Sequence, residues 1–254
     1  MDLKRATEEV ISEVTNPEDI DLSSFKVRDT LNPKIFESDQ KLNDKIRSRL
    51  LMIADDFFET LDISWVDVED VTLTGSLSNY NWSKFSDVDL HILLNYEDID
   101  ENSELVSEYL MAKKNIWNEK HSITIKGYDV EVYAQNIAEE HISTGVYSIL
   151  WDDWLVKPKK SVVNIDAKKV RQKASTIIDG YDTLLITFGE NEYDKVIRRI
   201  QNLKTKIKKL RQTGLDREGE YSYENITFKV LRRVGLLEKL SDLETLAYDK
   251  SLSL

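Results

Sequence analysis

The chain has no cysteine, which excludes disulfide frameworks, thiolate zinc sites and cysteine nucleophiles. Three prolines and eight glycines in 254 residues are too few for a low-complexity or collagen-like chain. A globular, largely helical protein is expected instead. No window approaches the run of roughly 18 apolar residues that crosses a bilayer. The first residues, from Met1 to Glu9, are charged and lack the apolar stretch of a signal peptide, so a cytoplasmic location is expected. Histidine is scarce as well. His91, His121 and His141 all precede the part that reads as helical, which counts against a histidine-dependent ribonuclease.

Charge, by contrast, is plentiful and unevenly spread. The net value of -12 argues against indiscriminate binding to a nucleic-acid backbone. Residues 1–156 sum to about -19 and residues 157–212 to about +9. An acidic part beside a basic one suits a catalyst acting on a metal–triphosphate substrate. Two unrelated solvated faces would give the same sums.

Hydrophobic periodicity divides the chain into an α+β half and a helical half. Residues 1–37 read as a short helix and an irregular arm holding Pro17 and Pro33. Residues 38–160 read as a compact core, and residues 161–254 as a helical region. From Ser38, taken as an N-cap, the residues Leu42, Ile46, Leu50, Ile53, Phe57 and Leu61 recur at helical spacing. Strands are expected at residues 71–74, 87–94, 122–125 and 128–133, with a hairpin turn at Lys126 and Gly127. A helix is expected over residues 105–120. Beyond Asp166 helices follow one another, with Val170, Ala174, Ile177, Tyr181, Leu184 and Phe188 forming one stripe. Val196, Ile200, Leu203, Ile207 and Leu210 form the next, and a third helix is capped by Ser222.

Three short elements carry the chemistry. Asp87 and Asp89 sit in a run otherwise made of Val, Leu and Ile. Strand alternation puts both carboxylates on one face, where their repulsion favours a hard cation between them, Mg²⁺ being the usual one. Gly75 and Ser76 follow a strand directly, where glycine lets backbone approach a ligand and the next amide and hydroxyl can hold a phosphate oxygen. A further acid lies on a separate strand. Glu131, between Val130 and Val132, is expected to join the Asp87/Asp89 face, with Asp129 expected on the opposite face and kept as the alternative third acid.

Together these elements resemble the polymerase-β-like nucleotidyltransferase superfamily. The likeness rests on the segment Leu73-Thr-Gly-Ser-Leu-Ser, on Phe85-Ser-Asp-Val-Asp-Leu and on the later Val130-Glu-Val, and it covers roughly residues 40–135. The helical half resembles, more loosely, the substrate-binding helices that follow this core, and the whole chain looks similar to nucleotidyltransferases encoded by tailed bacteriophages. The resemblance implies a mixed sheet with flanking helices, and for a phage protein a place in the host cytoplasm. It also implies a two-metal mechanism using Mg²⁺ or Mn²⁺, with Asp87, Asp89 and Glu131 as metal ligands. Glu131 would help to activate the acceptor hydroxyl, and Gly75 and Ser76 would hold the terminal phosphates of a nucleoside triphosphate. One departure is that the family's third acid is more often Asp than Glu.

The helix expected over residues 195–211 is rich in Lys and Arg. Lys204 and Lys208, four apart on one face, are the first candidates to contact the nucleotide or an RNA acceptor, then Arg199. Lys229, Arg232 and Arg233 are similar candidates. His91 follows Asp89 on the same face and reads first as a histidine bonding a backbone carbonyl or closing the core, and otherwise as a contact to a metal-bound water or the nucleobase. Trp82, Trp151 and Trp154 read as packing residues that could otherwise stack on bases. Besides transfer of a nucleotide to RNA, protein or a small molecule, two other functions fit. One is synthesis of an oligonucleotide signal, and the other is a silent nucleotide-binding module.

Overall fold

The computed structural model describes residues 16, 19, 22–139, 143–160 and 165–253. The helix expected within the first 37 residues lies mostly outside them. The described residues fall into two compact units, one over residues 23–160 and one over residues 16, 19, 22 and 165–253.

The first unit is built on a six-stranded mixed sheet. In chain order its elements are α1 (Asp44–Glu59), β1 (Val68–Thr74), β2 (Val88–Leu94), α2 (Ser103–Lys120), β3 (Thr124–Ile125), β4 (Tyr128–Asn136), β5 (Val146–Ser148) and β6 (Asp153–Val156). The strand order is β3-β4-β2-β1-β5-β6. All neighbours are antiparallel except β2 and β4. That parallel pair needs a crossover, and α2 supplies it. Asn118 near the end of α2 bonds both the N–H and the carbonyl of Val132, each at 3.1 Å, and so covers the edge of β4 beyond the short β3.

The strands form where apolar and polar residues alternate. In β2, Val88, Leu90 and Ile92 are buried while Asp89 and His91 are half-buried on the other face. The apolar side meets α1, whose Ile46, Leu50, Ile53 and Phe57 are buried. Lys126 and Gly127 both take positive φ, 55° and 85°, as a two-residue hairpin turn of the primed type requires.

Three expectations need correction here. The first long helix starts at Asp44, not Ser38, and its cap is Asn43, whose side chain accepts from the N–H groups of Lys45 and Ile46. Residues 36–42 instead fold into a tight turn. Phe36 bridges Leu42, and Glu37 N–H donates to the Lys41 carbonyl at 2.8 Å. Leu42 is buried as a bridge partner, which mimics the first step of the helical stripe. The strands β5 and β6 were not anticipated. The arm before them is also more than a connection, since Leu31, Ile35 and Phe36 belong to the core.

The second unit is helical: α3 (Ala167–Gly189), α4 (Tyr193–Glu218), α5 (Tyr223–Arg233) and α6 (Leu236–Leu252). Asp166 caps α3 by accepting from Lys169 N–H, and Ser222 caps α5 by accepting from Asn225 N–H. Val170, Ala174, Tyr181 and Leu184 of α3 are buried with Val196, Ile200 and Ile207 of α4. Ile178 takes the buried place expected of Ile177. Leu203 and Leu210 are only half-buried and line a groove with Ile177 and Gly180. Among the described residues no helix is long and apolar enough to cross a membrane.

Candidate metal centre

Asp87, Asp89 and Glu131 converge. Each offers one carboxylate oxygen, and these oxygens all lie within 4.8 Å of one another. Sheet register explains the convergence. Asp89 is directly opposite Glu131 across the parallel pair and opposite Thr74 across the antiparallel one. The C-terminal end of β1 and the N-terminal end of β2 therefore meet beside Glu131 of β4. All three acids are half-buried, within reach of water and a ligand.

Asp129 does not face away from Glu131, as expected above. Two residues are one full pleat period, so Asp129, Glu131 and Tyr133 share a face. Their burial alternates with that of Tyr128, Val130 and Val132. What separates the two acids is position along the strand. Asp129 is exposed and opposes Thr124 of β3, whereas Glu131 opposes Asp89.

Gly75 has φ +74°, and a Cβ built on it would come within 1.8 Å of Asp89 Oδ2. The chain reverses here in the left-handed region, and the Asp89 carboxylate lies against the bare Cα. The glycine thus makes room for a carboxylate of the site itself, a tighter requirement than the open approach anticipated from sequence. Ser76 Oγ donates to Ser86 Oγ at 2.7 Å, and Ser83 N–H donates to the same oxygen at 3.0 Å. Ser86 immediately precedes Asp87, so this exchange ties the two ends of the loop that carries the first acid. Ser78, fully buried, donates to the carbonyls of Gly75 and Gly145 at 3.2 and 3.0 Å, which fastens the turn to the segment leading into β5.

Sequence reasoning missed the residues flanking the acids. Tyr133 O–H donates to Glu131 Oε2. Burial first, then this bond and the negative charge of Glu131, Asp89 and Asp87, push the Tyr133 phenol far above its ordinary pKa. It therefore stays protonated and serves as a fixed donor to Glu131. His91 stacks on Tyr133 with ring centroids 4.9 Å apart. Its Nδ1 lies 2.7 Å from Gln135 Oε1, which gives the ring a side-chain amide partner. Lys114 Nζ sits 4.0 Å from the Tyr133 ring centroid, placing one cation over this row. The signal was available. Glu131, Tyr133 and Gln135 repeat on β4 the spacing that Asp89 and His91 have on β2.

Of the other candidates, some pack or pair within their own unit and some are exposed. Trp154 donates to the Gln40 carbonyl at 2.9 Å and stacks on Phe36. Trp82 donates to the Thr30 carbonyl at 2.8 Å. Trp151 is 75% exposed and does not pack in the core. His121 lies against Trp117, and His141 is outside the described residues. In the helical unit, Lys204 pairs with Glu244 at 2.6 Å, Arg199 donates to Thr187 Oγ1 at 3.1 Å, and Lys208 is exposed.

Chemically, Asp89 and Glu131 on adjacent strands and Asp87 just before β2 bring together three carboxylates that could hold a hard cation. No family model, curated protein or solved structure matches the chain.

Proposed function

We propose that this chain is a metal-dependent nucleotidyltransferase, moving a nucleoside monophosphate from a nucleoside triphosphate such as ATP to a hydroxyl acceptor. The observation that carries this reading is the convergence of Asp87, Asp89 and Glu131 oxygens within 4.8 Å, directly against a Gly75-Ser76 turn. A silent module would gain nothing from keeping three mutually repelling carboxylates together.

Asp87, Asp89 and Glu131 are the residues that would hold Mg²⁺ or Mn²⁺. When bound, such an ion neutralises phosphate oxygens and stabilises attacking and leaving oxygens in an in-line displacement. Glu131, which accepts from the Tyr133 hydroxyl, would receive the acceptor proton. The Gly75 and Ser76 backbone and the Ser76 hydroxyl would orient the terminal phosphates. A bond forms between the acceptor oxygen and the α-phosphorus, the bond from that phosphorus to the bridging oxygen of the β-phosphate breaks, and pyrophosphate leaves. The acceptor class is RNA, protein or a small molecule, and a second nucleotide as acceptor would yield an oligonucleotide signal.

Incubation with Mg²⁺ and each α-labelled nucleoside triphosphate in turn, with and without RNA, tests the proposal. Label should move onto an acceptor with equimolar pyrophosphate, and chelation should stop it. Release of inorganic phosphate alone, or no transfer from any of the triphosphates, would overturn it.

A further inference from the structure

The loop between the Gly75-Ser76 turn and β2 carries two aromatic residues placed in opposite ways. Trp82 turns inward. Its indole N–H donates to the Thr30 carbonyl at 2.8 Å, the Arg28 guanidinium lies 4.8 Å from its ring centroid, and it packs against the core. Phe85, three residues on, is 52% exposed, and hydrogen bonds hold it there. Phe85 N–H donates to Ser83 Oγ at 3.1 Å, Ser86 N–H to the Ser83 carbonyl at 3.2 Å, and Ser83 N–H to Ser86 Oγ at 3.0 Å. Ser86 is bonded in turn to Ser76. Residues 83–86 therefore form a fixed turn fastened to the Ser76 side of the metal centre.

Phe85 precedes Asp87 by two positions, a chain distance of at most about 7 Å. A nucleotide whose phosphates meet the acids and the Gly75-Ser76 turn extends farther than that, so its base falls within reach of the Phe85 ring. Covering an exposed aromatic ring with a nucleobase removes apolar area of both from water, and every base offers a π-face for the contact. Lys84, the preceding residue, is exposed, with Nζ 4.9 Å from the Phe85 ring centroid. A cation–π contact at an exposed site is weak. The amine can exchange it for a phosphate oxygen, in a stronger charge-assisted bond.

We propose that Lys84 and Phe85 form a rest for the nucleoside triphosphate at the rim of the metal centre, Phe85 stacking on the base and Lys84 pairing with a phosphate oxygen. This rests on the proposed nucleotidyl transfer for the identity of the ligand. Binding is measured in place of turnover, so the two readings can fail separately.

The test is isothermal titration calorimetry of the full chain with two ligands in the presence of Mg²⁺. One is an ATP analogue with a methylene group bridging the α- and β-phosphates, which cannot be cleaved there; the other is inorganic tripolyphosphate, which has no base. The wild-type chain should bind the analogue more tightly. Phe85→Ala should weaken the analogue about tenfold, as for the loss of one stacked base, and leave tripolyphosphate within about twofold. Phe85→Tyr should restore the analogue. Lys84→Gln should weaken both ligands by a similar factor, roughly threefold, as for an exposed ion pair. Both residues are exposed, so melting temperatures should stay at the wild-type value. Equal weakening of both ligands in Phe85→Ala, or unchanged affinity for the analogue, would overturn the proposal. Absent binding of either ligand would overturn it together with the nucleotidyltransferase reading. The expected pattern of binding without transfer of label from any triphosphate would uphold the nucleotide rest and sink that reading alone.

Discussion

Alanine at Asp89 should reduce nucleotidyl transfer by about a thousandfold or more, with no fall in the melting temperature of the metal-free protein. A thousandfold loss corresponds to about 4 kcal/mol of lost transition-state stabilisation, of the size expected when a ligand that holds the charge of an in-line displacement is removed. Asp89 occupies the centre of the site, opposite Glu131 on one side and Thr74 on the other, so no neighbour can replace it. Asp87→Ala should act in the same direction. Stability should move the other way, because each substitution removes one of three like-charged carboxylates crowded within 4.8 Å, and their mutual repulsion opposes the folded state. Calorimetry in EDTA checks this. A drop of many degrees for both variants would make these acids structural partners.

Alanine at Gly75 should inactivate the site by a different route. The added methyl would collide with Asp89 Oδ2, and φ at this position is +74°. The backbone conformation alone costs about 1–2 kcal/mol for a residue with a Cβ. The collision adds to this and pushes the carboxylate away from Asp87 and Glu131, so activity should fall nearly as far as in Asp89→Ala. A double-mutant cycle separates the two contributions. With Asp89 already alanine there is no carboxylate to strike, and Gly75→Ala should then cost only the backbone part. Equal destabilisation in both backgrounds would mean that the glycine serves the turn alone.

Much of this site is legible in the sequence because its signals are local. Asp87 and Asp89 stand out at the start of an apolar run, and Gly75 marks the end of the strand before them. Period-two alternation then states which face each side chain takes. The same rule, applied without error, places Asp129 and Tyr133 with Glu131. What chooses between Asp129 and Glu131 is interstrand register, which no single strand encodes. The strands β5 and β6 are short, three and four residues, and their pairing partners are distant, so periodicity has too little length to act on. The start of α1 differs from the expected Ser38 for a related reason. Leu42 falls on the helical period, yet it is buried through a bridge to Phe36, and Asn43 offered a cap as good as Ser38.

The most direct test of the metal centre is a Mn²⁺ titration followed by electron paramagnetic resonance, on the wild-type chain and on Asp89→Ala and Glu131→Gln. The wild-type chain should bind Mn²⁺, with Mg²⁺ competing for the same site. Affinity should fall about tenfold or more in Asp89→Ala and by a smaller but clear factor in Glu131→Gln, consistent with the loss of an oxygen ligand from a hard-cation site. Equal Mn²⁺ binding by all three proteins would contradict the assignment of these acids as a metal centre.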